Sequence, residues 1–440
     1  MRLRLPALLC VLAAAMIGPS VASAATVAQN LTRVGVPAAD RAADLAVAAR
    51  AAAVAQRLGG ERGQAINAVL ASAVRVARRR DLTPALARVV FLELDANATY
   101  LAAHALPPAG TRIRIDGIVY ESYSGQGLRV QPLGTYFAIL EPGQGIAAEG
   151  GVAAALTRAQ QLVVPVGNRY TLPYLLPYAG TDPPWYSAMA ESVAASASVS
   201  VWNRTGDDRY LDWAIRFGNA ALARAIPTGG SGLWFPLYAA RPDYRVLNGT
   251  LQAVLAMNDL ADATGDSTFA DAASQGAAAV RAVLPRYTTG GWGRYAIGED
   301  APVKYMTLMS AQLQHLGAIT GDQAFTAMGQ AFASYLRTPP VVSGPQQPLK
   351  PLRLQRIQGR PYVRLRVRRD KPIRLTIRVT RQAGGAAGVG PFSIDVASGT
   401  SAIKVVLPHT SGRYVIRATA RDWAGNRVAH VVLARVRVQR

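Results

Sequence analysis

Cysteine is nearly absent from this 440-residue chain, the single one being Cys10. It sits inside an N-terminal apolar run from Leu5 to Ile17, so removal of that run leaves no disulfide and no thiolate chemistry. Histidine is almost as scarce. His104, His315, His409 and His430 are not spaced as a metal pair, and each reads as a structural or surface residue. There is no G-x-S-x-G elbow, no Walker loop and no HExxH helix, so the common signatures of acyl transfer, nucleotide hydrolysis and zinc-assisted hydrolysis are missing. Beyond the first run, no stretch approaches the ~20 apolar residues that a membrane-spanning helix needs. Acids are also few, 26 against 48 Lys and Arg, for a net charge of +22. Neither a metal nor a cofactor is expected from this inventory.

What the N-terminus does carry is the pattern of a secretory signal. A basic head (Met1-Arg2-Leu3-Arg4) precedes the apolar run, and Ala22-Ser23-Ala24 supplies an A-x-A cleavage site. The alternative is an uncleaved anchor. With cleavage, the protein is expected to be secreted or associated with the cell envelope, with no transmembrane segment remaining. The positive charge is uneven: from Lys350 onward twenty Lys and Arg face only Asp370, Asp395 and Asp422. A surface of this kind favours polyanions such as acidic polysaccharide, cell-envelope glycan, lipid headgroups or nucleic acid. The alternative is a solvated Arg-rich surface that reflects codon composition. The alternating Arg residues lack interleaved aromatics, which argues against nucleic acid.

The centre repeats. Thr205-Gly206-Asp207, Thr264-Gly265-Asp266 and Thr320-Gly321-Asp322 each separate two apolar helical segments, and Tyr210, Phe269 and Phe325 follow three residues after each Asp. Gly ends one helix in the left-handed conformation, Asp caps the next, and the aromatic opens its buried face. Three such hairpins nearly sixty residues apart predict an (α/α) toroid, with an open solenoid as the alternative. After Thr338 to Pro351, a Pro-rich stretch, apolar and charged residues alternate strictly: Val363, Leu365 and Val367 with Arg364, Arg366 and Arg368, then Ile373 to Val379 with Arg374 and Arg378. Period two with one charged face predicts half-buried antiparallel strands. Gly412-Arg413-Tyr414 and Ala420 to Asn426 resemble the last strands of bacterial immunoglobulin-like modules. The expected plan is therefore a signal peptide at 1–24, a helical region at 25–106, a helical toroid with a β-containing opening at 107–337, a linker at 338–351, and a basic all-β sandwich at 352–440. The fold class is mainly α, with that small immunoglobulin-like module appended.

The centre is also rich in aromatics. Trp185 and Tyr186 open the first repeat, Trp234, Phe235 and Tyr238 precede the second, and Tyr287, Trp292, Tyr295 and Tyr305 precede the third. Rings at helix ends suit a sugar cleft, because sugar C–H faces stack on them; the alternative is that they are core residues. Asn248 lies among them in Val246-Leu247-Asn248-Gly249.

The order of Trp185 to Ala190, Trp234-Phe235 with Tyr238, Val246 to Gly249, Leu284-Pro285 with Tyr287, Tyr305, and Ala311 to Gln314 resembles the C-terminal domain of D-glucuronyl C5-epimerases. The likeness extends weakly back to Gly117–Tyr120 and to Gly127–Leu133, which resembles the family's substrate-channel region. It implies an enzyme that removes and returns the C5 proton of a uronate in an acidic polysaccharide. The resemblance also implies roles: proton transfer for Tyr238 and Tyr305, with Tyr287 beside them in the catalytic set. Trp185, Tyr186, Glu191, Trp234, Asn248, Tyr295 and Lys304 would contact substrate. A homodimer is compatible with it.

The departures are specific. Pro236-Leu237 stands where the family has Glu-Glu before its tyrosine, and Met306 and Met309 replace two histidines. Glu191-Ser192-Val193 replaces Gln-Gly-Gln, and an Arg after Tyr295 is missing, with Lys304 or Arg294 as substitute cations. Loss of the carboxylate removes a base, and a tyrosine of ordinary pKa ~10 is a poor one. A non-catalytic glycan-binding protein and a uronate lyase stay open as alternatives.

Overall fold

The structure, a computed structural model, describes residues 21–141, 151–178, 180–230, 232–345, 355–357, 360–382 and 388–438. The signal-peptide pattern up to residue 20 and the linker residues 346–351 lie outside them. The chain divides into two compact units, Met1–Tyr186 and Ser187–Arg440.

The first unit begins with helices α1 (Val21–Arg33), α2 (Ala38–Leu58), α3 (Gly60–Ala77) and α4 (Pro84–Ala103). Thr83 starts α4: its Oγ1 accepts the Leu86 N–H at 3.1 Å, and Pro84 follows at the first helical position. A three-stranded antiparallel meander comes next, β1 (Arg112–Ile115), β2 (Ile118–Tyr123) and β3 (Gly127–Val130). The Asn97 side chain meets the backbone of β3, accepting from Leu128 N–H at 2.9 Å and donating to Leu128 O at 2.7 Å. Gly127, at φ +77°, permits this approach, since a Cβ there would stand 2.9 Å from Ala65 O. Beside it, Arg129 and Glu93 form a buried ion pair at 2.8 Å, and the second Glu93 oxygen accepts the Val130 N–H. Burial pushes the Glu93 carboxyl above its usual range, while Arg129 and that N–H pull it back. Helices α5 (Pro132–Leu140) and α6 (Gly151–Ala159) and the hairpin of β4 (Val164–Val166) and β5 (Arg169–Thr171) complete the unit.

The second unit holds three helical hairpins and a β module. The hairpins are α7 (Ala188–Thr205) with α8 (Asp208–Leu222), α9 (Leu247–Thr264) with α10 (Ser267–Val283), and α11 (Val303–Thr320) with α12 (Gln323–Tyr335). They stack in chain order, α9 packing against both α7 and α11. The Thr-Gly-Asp repeat builds each turn in the same way. Gly206, Gly265 and Gly321 take φ of +68°, +69° and +71°, and Asp207, Asp266 and Asp322 cap the second helices. Each Thr hydroxyl donates one turn back, to Val201 O, Leu260 O or Leu316 O, and accepts the N–H of its Asp. Tyr210, Phe269 and Phe325 are buried, as the first core residues of the helices they open.

Between the hairpins run two short ribbons, β6 (Ile226–Pro227) with β7 (Leu233–Trp234), and β8 (Arg294–Ala296) with β9 (Glu299–Asp300). The β module has two antiparallel sheets. In one, β12 (Arg360–Arg369) pairs with β10 (Val342–Ser343), β11 (Gln355–Ile357) and β15 (Gly399–Val406). The other runs in the order β14 (Val389–Val396), β13 (Ile373–Arg381), β16 (Gly412–Asp422), β17 (Arg427–Val438). Leu365, Val367, Leu375, Ile377, Val405, Ile416 and Val436, drawn from both sheets, share one core. The first half of the Pro-rich stretch therefore contributes a strand, Val342 and Ser343 lying opposite Arg369 and Arg368.

This module is fastened to the third hairpin and the loop before it. The buried Lys371 ammonium donates to Tyr335 O and Thr338 O and pairs with buried Asp422 at 3.1 Å. Asn426 donates to Leu336 O at 2.9 Å, and Thr289 Oγ1 to Asp370 O. Ser398 donates its N–H and hydroxyl to the two carboxylate oxygens of Asp300.

Candidate functional site

Two connecting segments of the second unit meet before α9 and α11. Three ties hold them together. The Tyr287 hydroxyl donates to Arg245 O at 2.9 Å, Val246 and Ala296 form an isolated antiparallel bridge, and the Tyr244 hydroxyl donates to Glu299 Oε2 at 2.6 Å. Four tyrosines consequently follow one another. Ring centroids are separated by 6.0 Å from Tyr238 to Tyr244, 6.5 Å from Tyr244 to Tyr295 and 4.8 Å from Tyr295 to Tyr305. All four are half-buried. Two cations lie against the row: Arg241 lies 5.0 Å from the Tyr244 ring centre and the Lys304 ammonium 5.0 Å from that of Tyr305. Such an arrangement offers phenol oxygens, one carboxylate and two positive charges on a surface that is partly open to solvent.

Of the residues singled out from the sequence, Tyr238, Tyr295, Tyr305 and Lys304 belong to this row. Tyr287 lies beneath it, fully buried, its ring 6.3 Å from that of Trp234. Burial pushes its phenol well above the usual range, against the opposing pull of Arg245 and Arg286. Trp234 and Asn248 are likewise buried. Asn248 directs only its amide nitrogen to a partner, Met189 Sδ at 3.7 Å, and Gln312 on α11 donates to Asn248 O and to Gln252 Oε1. Three buried polar atoms here lack hydrogen-bond partners among the described residues: Asn248 Oδ1, Gln312 Oε1 and Trp234 Nε1. Glu191 is fully buried on α7, both oxygens engaged by Arg224 at 2.6 and 2.7 Å, so its charge is answered within the helical core. Trp185 and Tyr186 belong to the first unit, where the Trp185 ring stacks on Tyr174 at 4.1 Å and its indole donates to Leu176 O. Arg129, from the segment that resembles a substrate channel, is committed to Glu93 inside that unit.

Met306 and Met309, in place of histidines, are both buried, and Met306 Sδ accepts the Gly293 N–H. Leu237 packs against Gly249, where a Cβ would meet its own Cβ at 3.2 Å. The sequence reading missed Tyr244 and Glu299. The one signal available for them was composition, Tyr244 in an Arg-Pro-Asp-Tyr-Arg loop and Glu299 in a Gly-Glu-Asp turn. Among the described residues no group of three or more His, Cys, Asp or Glu side chains is arranged to hold a metal ion, and no described helix is long and apolar enough to cross a membrane. A groove of about 390 Å³ lies in the first unit, lined by Arg112, Arg114, Val119, Phe137 and Glu141 among others, and includes none of these tyrosines.

Residues 167–334 match the family described as D-glucuronyl C5-epimerase C-terminus. The match ends within α12, so the β module lies beyond it. An uncharacterized protein of Methanocaldococcus jannaschii is 29% identical over 155 residues, which cover 32% of this chain and 49% of that protein. The chain thus spans about half the length of the curated relative it matches. Among solved structures, a sugar epimerase from a ruminal bacterium is 13% identical, over 47% of this chain and 58% of that one, with a TM-score of 0.33. The Lin0763 protein from Listeria innocua is 10% identical, over 71% and 84% of the two chains, with a TM-score of 0.35. At those scores neither structure bears on the fold or the chemistry.

Proposed function

We propose that this protein is an exported epimerase that inverts C5 of uronic acid residues in an acidic polysaccharide. The observation that carries the reading is the row Tyr238, Tyr244, Tyr295, Tyr305, with Glu299 hydrogen-bonded to Tyr244 and Lys304 beside Tyr305. A C5 proton lies α to a carboxylate, so its removal builds up negative charge that nearby cations must offset. Inversion also needs proton donors and acceptors on opposite faces of the ring. In this reading Tyr305 and Tyr238 transfer the proton, Lys304 and Arg241 bind the sugar carboxylate, and Glu299 acts through Tyr244 in place of the carboxylates lost at Pro236-Leu237. Tyr287, being buried, positions the loop rather than exchanging protons. Asn248 and Gln312 supply polar atoms beneath the ring.

The architecture that goes with this reading is an (α/α) toroid followed by an immunoglobulin-like sandwich. The buried Tyr414 hydroxyl, which donates back to Thr410 O at 3.0 Å, supports the second part, since a tyrosine corner of this kind recurs in such modules. The replacement of two carboxylates by Pro236 and Leu237 supports a second reading, a glycan-binding protein that has lost catalysis. A lyase would need, in addition, an acid for the leaving oxygen.

The test is incubation of the protein with heparosan in D₂O, with the recovered sugars read by mass spectrometry and NMR. Deuterium at C5 that disappears in Tyr305→Phe or Tyr238→Phe supports the epimerase. Binding without exchange supports the second reading, and a new unsaturated-uronate absorbance supports the lyase.

A further inference from the structure

We propose that the outward face of the sheet β14-β13-β16-β17 binds a linear polyanion of the acidic-polysaccharide class. Arg374 lies opposite Arg421, and Arg421 opposite Arg427; four residues along β13, Arg378 lies opposite Arg417. All five side chains are exposed. Neighbouring strands are ~4.8 Å apart, and like charges directly opposite one another destabilise a sheet. The sheet's own stability therefore gives no reason for this arrangement, whereas an anionic partner does. Among the described residues of these rows one carboxylate answers the array: Asp395 lies opposite Arg374 and takes two bonds from it at 2.8 Å.

Between the two arginine rows runs a row of hydroxyls, Ser393, Thr376 and Thr419, in register across three strands. Cation and hydroxyl rows thus alternate every ~7 Å along the strands. A polyuronate presents matching groups, carboxylates for the guanidinium forks and hydroxyls for the threonines. Trp423, 49% exposed, sits in the loop that joins Arg421 to Arg427 and offers an indole face to sugar C–H groups. The exposed positions of β13 and β16 carry no aromatic, so the face lacks the stacking platform of single-stranded nucleic-acid binders. The Arg374–Arg421–Arg427 row also lies at the sheet end where Lys371 and Asn426 fasten the module to the third hairpin. A polymer held there is anchored on the unit that carries the tyrosine row. The inference rests on the glycan reading above only for the class of polymer.

Affinity of the full chain for heparosan, measured by calorimetry at several salt concentrations with dextran and a DNA duplex as comparison probes, tests it. The triple variant Arg378→Gln/Arg417→Gln/Arg421→Gln is expected to bind heparosan at least tenfold more weakly. A matched triple on the other sheet, Arg364→Gln/Arg366→Gln/Arg368→Gln, is expected to stay within twofold of the unmodified chain. Binding of heparosan, but not dextran, should weaken as salt rises. Thermal melts of both triples establish that they fold. Unchanged affinity in the first triple, equal losses in both, or tighter binding of the duplex than of heparosan overturns the proposal. C5 exchange on a short glucuronate oligosaccharide, measured on the same samples, keeps the two readings apart. Exchange fails with the enzyme reading, and polymer affinity fails with this one.

Discussion

The Tyr244 hydroxyl reaches Glu299 across 55 residues of sequence, at 2.6 Å, and brings a carboxylate into a row of tyrosines otherwise flanked by cations. Glu299→Gln preserves the size of the side chain and removes its charge. It is expected to lower C5 deuterium exchange about 10²-fold or more, the scale of a lost general base or its direct support. Exchange within threefold of the unmodified chain would remove Glu299 from the chemistry.

The buried oxygen Asn248 Oδ1 has no partner among the described residues, and an unsatisfied buried polar group destabilises a fold by about 1–3 kcal/mol. Asn248→Leu is expected to leave the melting temperature unchanged or raised while lowering C5 exchange. A variant that melts several degrees lower would show that Asn248 serves the fold instead.

Lys371 is buried, and so is the Asp422 carboxylate it pairs with. Lys371→Ala strands the Asp422 carboxylate in the interior, which costs about 3–5 kcal/mol for a buried pair with one partner removed. Urea unfolding should show it. Arg364→Ala, at an exposed strand position, should stay within about 0.5 kcal/mol.

Asp44 on α2 gives a pH-dependent prediction. Burial first, and then the neighbouring Asp40, push its carboxyl up to about 6 from an ordinary 3.8. The folded state then holds the proton more tightly than the unfolded chain. The contribution of Asp44 to stability is therefore full below pH 3.8 and lost as pH rises through 6. Asp44→Asn is expected to raise the melting temperature at pH 7 and to make little difference near pH 4. An equal shift at both values would contradict the assignment.

The hairpin turns were legible because every role in Thr-Gly-Asp is local: a left-handed residue, a cap and a back-bonded hydroxyl need only their immediate neighbours. The strands of the basic tail were legible for a similar reason, since alternation along one strand already states which face is buried. The Tyr244–Glu299 contact was not, because it depends on how two loops meet, and neither residue stands in a patterned segment. Glu191, which the resemblance places among the substrate contacts, has a partner that its own segment does not announce: Arg224, 33 residues on, engages both its oxygens. Lys371 reads as one more solvated base among twenty, and only the docking of the module on the third hairpin gives it the oxygens of Tyr335 and Thr338 beside Asp422 of its own module.

Asp300 adjoins Glu299 in β9 and holds Ser398, which lies beyond the segment matched to the epimerase family. The two parts of this unit are therefore not free to drift apart over generations. A change at position 300 that loses the carboxylate leaves the 398 turn without its acceptors, and the strand bearing Glu299 loses its brace. Relatives that keep both parts should change the two positions together, and relatives that lack the β module should brace that ribbon by some other contact.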